Sequence, residues 1–311
     1  MTFLSKGCTV DRLQLTARES EFFMEAHDFL TKKILVEHEV KQTLESRTGN
    51  FATKPKAEVL REFDSEKWAE VLAKASEFRG FSLLDGLLLD FAGLSLDSRI
   101  DFWQRPHFNK VNLATGLLRE LTIMIETLRS ASLANNQFTE IGSGFGYRIL
   151  TLAEVLASEG IPAKYTAIDL SANGLAAAEL FAERSEINLA TVRFDVEGQE
   201  QIDENLASPG GVWFSFCALH YASLPPHRLA RRLARLPFET LVAFEPIHKA
   251  ANSKDEIQLD LNQYIEMNSY YPFVLEALTE LARIRHLRMT VDSNCFGLNP
   301  KMPLSIITLQ Q

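Results

Sequence analysis

Short runs of β-branched and aromatic residues alternate with amphipathic helical segments through the second half of this 311-residue chain. The runs are too short to be helices, whereas the segments between them are long enough. Such alternation predicts parallel strands joined by helices that cover both faces of one doubly wound α/β sheet. The predicted strands are 137–141, 164–169, 190–194, 212–217 and 240–245, and the helices between them include 147–159, 172–186 and 226–236.

The C-terminal part departs from this alternation. A helix near 270–284 is followed by two strands, 286–292 and 304–309, with no helix between them. Parallel strands need a long crossover connection, so two strands joined this way must be antiparallel. The sequence therefore predicts a sheet whose last strand is reversed.

The first part of the chain has a different pattern, because apolar residues recur there at helical spacing with almost no strand-like alternation. The predicted helices are 16–46, 57–78, 81–91 and 108–133. The turn-prone pair Asn135 and Asn136 marks the change. We therefore expect an all-helical cap or lid at residues 1–134 and an α/β domain at residues 135–311.

The net charge and the positions of the cysteines argue against several classes of protein. The net charge of −9 has the wrong sign for nonspecific attraction to nucleic acid or to an anionic membrane surface. The sequence shows neither a signal-like apolar core at its N-terminus nor a run of about 18 apolar residues, so we expect a cytoplasmic protein. Cys8, Cys217 and Cys295 lie far apart, which favours reduced thiols over a disulfide framework or a structural zinc site.

The most informative segment is a strand that runs into a glycine-rich turn and then a helix. Gly142, Gly144 and Gly146 mark a turn where the backbone bends tightly and lets a ligand approach. Asp169 ends the second strand, where a carboxylate can accept both hydroxyls of a ribose. Asp195 ends the third strand, where it can meet an adenine amino group. Because the spacing is Gly-x-Gly-x-Gly, the pattern predicts a nucleoside ligand without a pyrophosphate.

At these motifs the chain resembles the class I S-adenosylmethionine-dependent methyltransferases, with a Rossmann-like sheet of seven strands. The resemblance covers about residues 110–311 and implies S-adenosylmethionine as co-substrate. It also implies that the glycine turn passes beside the methionyl and ribose groups, that Asp169 holds the ribose, that Asp195 and Val196 frame the adenine, and that Phe216 and Cys217 close the adenine side. The implied binding residues are Glu140, Gly142, Ser143, Gly144, Gly146, Asp169, Leu170, Asp195, Val196, Phe216 and Cys217.

The second substrate is expected beyond the fourth and fifth strands, because ligands of open α/β sheets bind at the carboxyl ends of the strands. His220, Glu245 and His248 are the candidate catalytic residues there, since an imidazole can take a proton from an acceptor hydroxyl or amine near neutral pH. A metal site built from the same three residues is an alternative, although we predict no metal. Tyr221 is a candidate for substrate contact.

Further acceptor contacts are expected from a polar and aromatic cluster after the fifth strand. It contains Asn262, Tyr264, Asn268, Tyr270 and Tyr271. In the N-terminal region, Arg105 or Lys110 is expected to neutralise the carboxylate of the methionyl group.

These patterns predict transfer of a methyl group to a small-molecule acceptor by direct displacement. Three alternatives stay open: transfer or cyclisation of the aminocarboxypropyl arm with release of methylthioadenosine, a nicotinamide-dependent dehydrogenase, and a non-catalytic module that binds S-adenosylmethionine.

Overall fold

The computed structural model describes residues 53–91, 94–132, 136–198, 210–249 and 255–311. The predicted helix 16–46 and Cys8 lie outside these ranges. Within them, helices pack against both faces of one mixed sheet. None of the described helices is both long enough and apolar enough to cross a membrane.

The helices follow the predicted order, with the addition of one over Glu256–Met267 that was not predicted. They are α1 (Lys56–Leu60), which continues through a π-helical stretch (Arg61–Trp68) into α2 (Ala69–Glu77), then α3 (Leu83–Asp90), α4 (Leu113–Ala131), α5 (Tyr147–Ser158), α6 (Ala172–Arg184), α7 (Pro226–Leu233), α8 (Glu256–Met267) and α9 (Val274–Arg285). A short 3₁₀ turn covers Leu219–Tyr221. π-helical turns are rare and often occur at functional sites.

The sheet has nine strands among the described residues, in the order β2-β1-β8-β9-β7-β6-β3-β4-β5. They are β1 (Arg99–Gln104), β2 (His107–Asn112), β3 (Gln137–Ile141), β4 (Lys164–Asp169), β5 (Leu189–Arg193), β6 (Val212–Phe216), β7 (Thr240–Glu245), β8 (Arg288–Gly297) and β9 (Leu304–Gln310). The central strands β3 to β7 pair in parallel. β9 is antiparallel to both β7 and β8, which confirms the predicted reversal of the last strand.

Two features of the prediction are corrected. The sheet has nine strands where seven were expected, because β1 and β2 form an antiparallel hairpin that pairs with β8. The region before Asn135 is therefore not all-helical, and the helix expected at 108–133 begins only at Leu113. The hairpin was missed because β2, at the edge of the sheet, carries mostly polar side chains that stay partly or fully exposed.

The sheet buries apolar side chains on both faces, as a doubly wound architecture requires. On β6, Phe214 and Phe216 join the core formed with α4, α5 and α6, whereas Trp213 joins the core formed with α7 and α9. Side chains of successive strand residues point to opposite faces, so a buried strand needs apolar residues at nearly every position. This packing holds the carboxyl ends of the parallel strands rigidly at one edge of the sheet.

Candidate functional site

A cavity of about 330 Å³ opens at the carboxyl ends of β3, β4, β5 and β6. Its floor is the glycine turn after β3 together with the residues that follow the other three strands. Its cover comes from α1, the π-helical stretch and α3. Among the residues predicted to form the site, those that line the cavity are Gly142, Ser143, Gly144, Asp169, Leu170, Asp195, Val196, Phe216, Cys217, His220, Tyr221 and Tyr270.

The glycine turn owes its composition to backbone conformation and close packing. Gly142, Gly144 and Gly146 have φ values of +70°, +53° and +78°, where a side chain is strained. A Cβ on Gly142 would lie 2.4 Å from the Cβ of Ala218, and one on Gly144 would lie 2.9 Å from the Trp68 ring. Close packing within the protein therefore requires these glycines. The sequence analysis had attributed them to the close approach of a ligand. Gly146 precedes α5 and does not line the cavity.

Asp169 is fixed at the end of β4 by two backbone amides. Its Oδ2 accepts the N–H of Gly144 at 2.7 Å, and its Oδ1 accepts the N–H of Ser171 at 2.7 Å. Burial raises the pKa of Asp169, and these two amides oppose that rise. Each carboxylate oxygen has a second lone pair, so the fixed carboxylate can still accept a ligand hydroxyl.

Asp195 and Val196 line the cavity just beyond β5. The carboxylate of Asp195 forms an ion pair with the ammonium group of Lys56, at the start of α1. The other carboxylate oxygen accepts the backbone N–H of Glu197 at 3.0 Å. This ion pair links α1 to Asp195, the residue that the sequence analysis predicts to contact the adenine.

Hydrogen bonds also join the π-helical stretch to the start of α6. Asp64, in the π-helical stretch, accepts hydrogen bonds from the hydroxyl of Ser171 at 2.7 Å and from the N–H of Asn173 at 3.0 Å. Trp68 packs against Phe145 with ring centroids 5.0 Å apart. These contacts place the π-helical stretch directly over the glycine turn.

Glu140 lies beneath the cavity and does not line it, which corrects the expectation of direct contact with the co-substrate. The side chain is fully buried in β3, and its Oε2 accepts the N–H of Ile149 in the first turn of α5 at 3.2 Å. Its Oε1 has no hydrogen-bond partner among the described residues. Burial raises the pKa of Glu140 to about 8 despite the nearby Arg148. Within the described structure Glu140 holds the start of α5 in place.

His220 and Glu245 form a buried pair at the end of β6 and β7. The Nδ1 of His220 lies 3.1 Å from the Oε2 of Glu245. The Oε1 of Glu245 accepts the N–H groups of Ala218 and Leu219, each at 2.9 Å. Four polar contacts to one buried carboxylate fix its orientation, counting the weaker bond from the N–H of His220 at 3.4 Å. Glu245 itself does not line the cavity, and its carboxylate contacts His220 instead.

Aromatic rings surround the His220 imidazole. Its centroid lies 4.2 Å from that of Tyr221 and 4.6 Å from that of Tyr270. Phe63, from the π-helical stretch, packs against Tyr221 at 5.1 Å. All four rings line the cavity, so this wall is largely aromatic.

The wall at the end of β6 is formed by Phe216 and Cys217. The Cys217 thiol is partly buried beside the cavity, and burial raises its pKa well above its usual value. A thiol nucleophile reacts as thiolate, so this shift argues against nucleophilic catalysis by Cys217. Phe216 presents its ring to the guanidinium of Arg148, whose carbon lies 4.0 Å from the ring centroid.

Several predicted residues do not line the cavity, and their expected roles are corrected accordingly. Arg105 is exposed on the far side of β8, where it pairs with Asp292 at 2.7 Å, and Lys110 is exposed on β2. His248 lies 3.4 Å from Glu266 and does not line the cavity. No group of three or more His, Cys, Asp or Glu in the described part of the chain could hold a metal ion.

The residues expected to contact the acceptor on α8 stabilise that helix and its connections. Asn262 donates to the carbonyl of Lys249 at 2.7 Å, and Asn268 donates to the carbonyl of Tyr264 at 2.8 Å. Tyr264 is buried, and its ring lies 6.1 Å from that of Tyr270. Of this cluster, Tyr270 is the member that lines the cavity.

Sequence reasoning missed the part of the site that comes from the N-terminal segment. The residues concerned are Lys56, Phe63, Asp64, Lys67 and Trp68. No local pattern identifies them, because their position over the glycine turn depends on contacts across more than 70 residues of sequence. Arg148 was also missed, although a cation directly after the glycine turn is a visible signal.

Comparison with known proteins gives similarity only at the level of solved structures. No protein-family model and no curated protein matches the chain. A magnesium protoporphyrin IX methyltransferase from Synechocystis PCC 6803 with bound SAM matches at 12% identity over 85% of this chain and 100% of that chain, with a TM-score of 0.45. A geranyl diphosphate C-methyltransferase from Streptomyces coelicolor A3(2) matches at 12% identity over 63% and 80%, with a TM-score of 0.43.

A third match is the plantazolicin methyltransferase BpumL in complex with SAH, at 12% identity over 62% of this chain and 84% of that chain, with a TM-score of 0.40. At these TM-scores the likeness fixes neither the activity nor the substrate of this chain.

Proposed function

We propose that this protein is a class I S-adenosylmethionine-dependent methyltransferase that acts on a small-molecule acceptor. One observation carries the proposal: the glycine turn after β3, Asp169 after β4, Asp195 after β5 and His220 after β6 all line one cavity. In open α/β sheets, ligands bind at this edge, beyond the carboxyl ends of the strands. The cavity volume of about 330 Å³ suits small molecules.

The residues of the cavity fit the parts of S-adenosylmethionine. The fixed carboxylate of Asp169 would accept the ribose hydroxyls, and Asp195, Val196 and Leu170 would frame the adenine. The backbone of the glycine turn would lie beside the sulfonium and the methionyl chain. When bound, the co-substrate would supply an electrophilic methyl group.

His220 is the proposed general base. If its Nδ1–H donates to Glu245, its Nε2 carries the lone pair and can take a proton from the acceptor. The acceptor lone pair then forms the new bond to the methyl carbon, and the electrons of the broken carbon–sulfur bond go to sulfur. Glu245 stabilises the imidazolium, while the rings of Tyr221 and Tyr270 keep water away from it. Alignment of the two substrates in the cavity supplies much of the acceleration.

The test is a transfer assay with methyl-labelled S-adenosylmethionine and fractionated small-molecule extracts. We expect label in one organic product together with an equal amount of S-adenosylhomocysteine, and loss of both in a His220→Ala variant. The exposed His107, on β2, provides the control variant His107→Ala. Release of methylthioadenosine without labelled product would instead establish transfer or cyclisation of the aminocarboxypropyl arm. Binding of the co-substrate without turnover on any fraction would contradict the proposal and indicate a non-catalytic module.

A further inference from the structure

Arg148 is a cation held inside the protein at the end of the cavity bordered by β6 and α3. It is the second residue of α5 and lines the cavity together with Phe216, Asp90 and Met302. Its guanidinium stacks on the Phe216 ring at 4.0 Å. Among the described residues, no hydrogen bond or ion pair within 4.0 Å satisfies it.

This position is unfavourable for the folded protein. The first turn of a helix carries positive partial charge, so a cation there is repelled rather than stabilised. Removal of a guanidinium from water costs free energy as well, unless hydrogen bonds replace the lost solvation. A side chain that is kept under both penalties, beside a cavity, indicates a role with a ligand.

Burial lowers the pKa of the Arg148 guanidinium, but the attraction of nearby acidic groups, chiefly Glu120 and Glu140, outweighs burial and raises that pKa. Burial also raises the pKa of Glu120 to about 7 and that of Glu140 to about 8. Neither carboxyl group lies within 4.0 Å of the guanidinium in the described structure, so the N–H groups of Arg148 have no carboxylate partner there.

The other cations of the cavity are already paired. Lys56 forms an ion pair with Asp195, and Lys67 lies 3.4 Å from Asp90 and over the ring of Phe63 at 4.8 Å. Of the three Lys and Arg side chains that line the cavity, Arg148 alone has no ion-pair partner within 4.0 Å in the described structure.

We infer that Arg148 anchors a carboxylate of a bound ligand at this end of the cavity. A guanidinium presents N–H groups in a fixed fork that matches a carboxylate, and the stacked ring of Phe216 holds the fork in one plane. The carboxylate has two possible sources, the methionyl group of the co-substrate and an acidic acceptor. Only the first source depends on the proposed function. Arg148 thereby replaces Arg105 and Lys110, which lie outside the cavity.

The first arm of the test compares S-adenosylhomocysteine with its decarboxylated analogue by calorimetry. The proteins are the parent, Arg148→Met, Arg148→Lys and the exposed control Arg105→Met. If the co-substrate supplies the carboxylate, the parent and the control bind S-adenosylhomocysteine about 10- to 100-fold more tightly than the analogue. Arg148→Met loses this preference, and Arg148→Lys keeps part of it, because lysine keeps the charge but not the fork.

The second arm compares benzoate with its neutral counterpart benzamide, with and without S-adenosylhomocysteine, by thermal shift on the same proteins. If an acceptor supplies the carboxylate, benzoate stabilises the parent and the control but not Arg148→Met, and benzamide stabilises none of them. If S-adenosylhomocysteine binds to none of these proteins but benzoate gives this response, the proposed function is contradicted. The role of Arg148 as a carboxylate anchor is then still supported.

The inference is overturned if neither arm shows a preference for the carboxylate in the parent, or if the preference persists in Arg148→Met. Circular dichroism and thermal unfolding establish that the variants are folded. If Arg148→Met does not fold, the test rests on Arg148→Lys. If this variant prefers the carboxylate ligand as strongly as the parent does, the result contradicts a contact that depends on the guanidinium fork.

Discussion

The buried carboxyl of Glu140 gives the most quantitative prediction, because its environment sets how stability depends on pH. The side chain is fully buried in β3, and burial raises its pKa from the usual 4.5 to about 8. The folded protein therefore holds a proton that the unfolded chain has released between these two pH values. Stability decreases with rising pH wherever the folded state binds more protons.

The magnitude follows from the size of this pKa difference. One pKa unit corresponds to about 1.4 kcal/mol, so ionised Glu140 lowers the free energy of unfolding by about 5 kcal/mol once the pH exceeds both values. Between pH 5 and pH 8 the expected loss is about 3 to 4 kcal/mol. The Glu140→Gln variant resembles the protonated form and keeps an acceptor for the N–H of Ile149. It should lack this part of the pH dependence.

The assay is urea unfolding of the parent and Glu140→Gln at several pH values from 5 to 8. We expect the variant to gain stability relative to the parent as the pH rises, by about 3 to 4 kcal/mol over this range. Glu126→Gln, at an exposed position of α4, provides the matched control for loss of a carboxyl group. A constant difference in the free energy of unfolding between the parent and Glu140→Gln at all pH values would show that Glu140 does not titrate with a raised pKa in the folded protein.

Three further variants test the packing of the turn and the buried pair. Gly142→Ala forces a side chain to φ +70° and to within 2.4 Å of Ala218, so chemical denaturation should show a loss of about 2 to 5 kcal/mol. Trp68→Ala removes a buried ring above the turn and should cost about 3 to 5 kcal/mol by the same method; no measurable loss would show that the ring does not pack there. Glu245→Gln should lower turnover about 10- to 100-fold with the Kd of the co-substrate unchanged, and a change in Kd alone would contradict its role in orienting His220.

The sequence predicted the parallel strands well because burial on both faces leaves a local signature. The predicted bounds of β3, β4 and β7 agree with the structure to the residue. Each is a short, continuous run with few charges between turn residues, and that pattern distinguishes it from the amphipathic helices around it. The C-terminal antiparallel pair was predictable for an equally local reason, the absence of a crossover helix.

The hairpin of β1 and β2 lacked such a signature. β2 lies at the edge of the sheet, so its side chains need not be apolar, and Lys110 and His107 point away from the core. Apolar periodicity in α4 extends backward into the strand, which led to a predicted helix that was too long. Edge strands commonly carry charged residues that prevent pairing with other chains, and this obscures the strand pattern.

The site residues also differed in how well the sequence could predict them. Residues at the carboxyl ends of strands, such as Asp169 and His220, were predictable because strand order fixes where those ends meet. Lys56 and Trp68 were not, since their place over the cavity results from tertiary packing of distant segments. The expected contact from Arg105 failed for the same reason, because nothing local indicated that it belongs to a sheet-edge hairpin.

We propose that this cavity binds the adenosyl group of S-adenosylmethionine through Asp169. Calorimetric titration of S-adenosylhomocysteine into the parent, Asp169→Asn and the exposed control Asp260→Ala tests it most directly. We expect saturable binding to the parent and to the control, and about 10- to 100-fold weaker binding to Asp169→Asn, which keeps its fold by thermal unfolding. Absence of heat with the parent, or equal affinity for the parent and Asp169→Asn, would contradict the account.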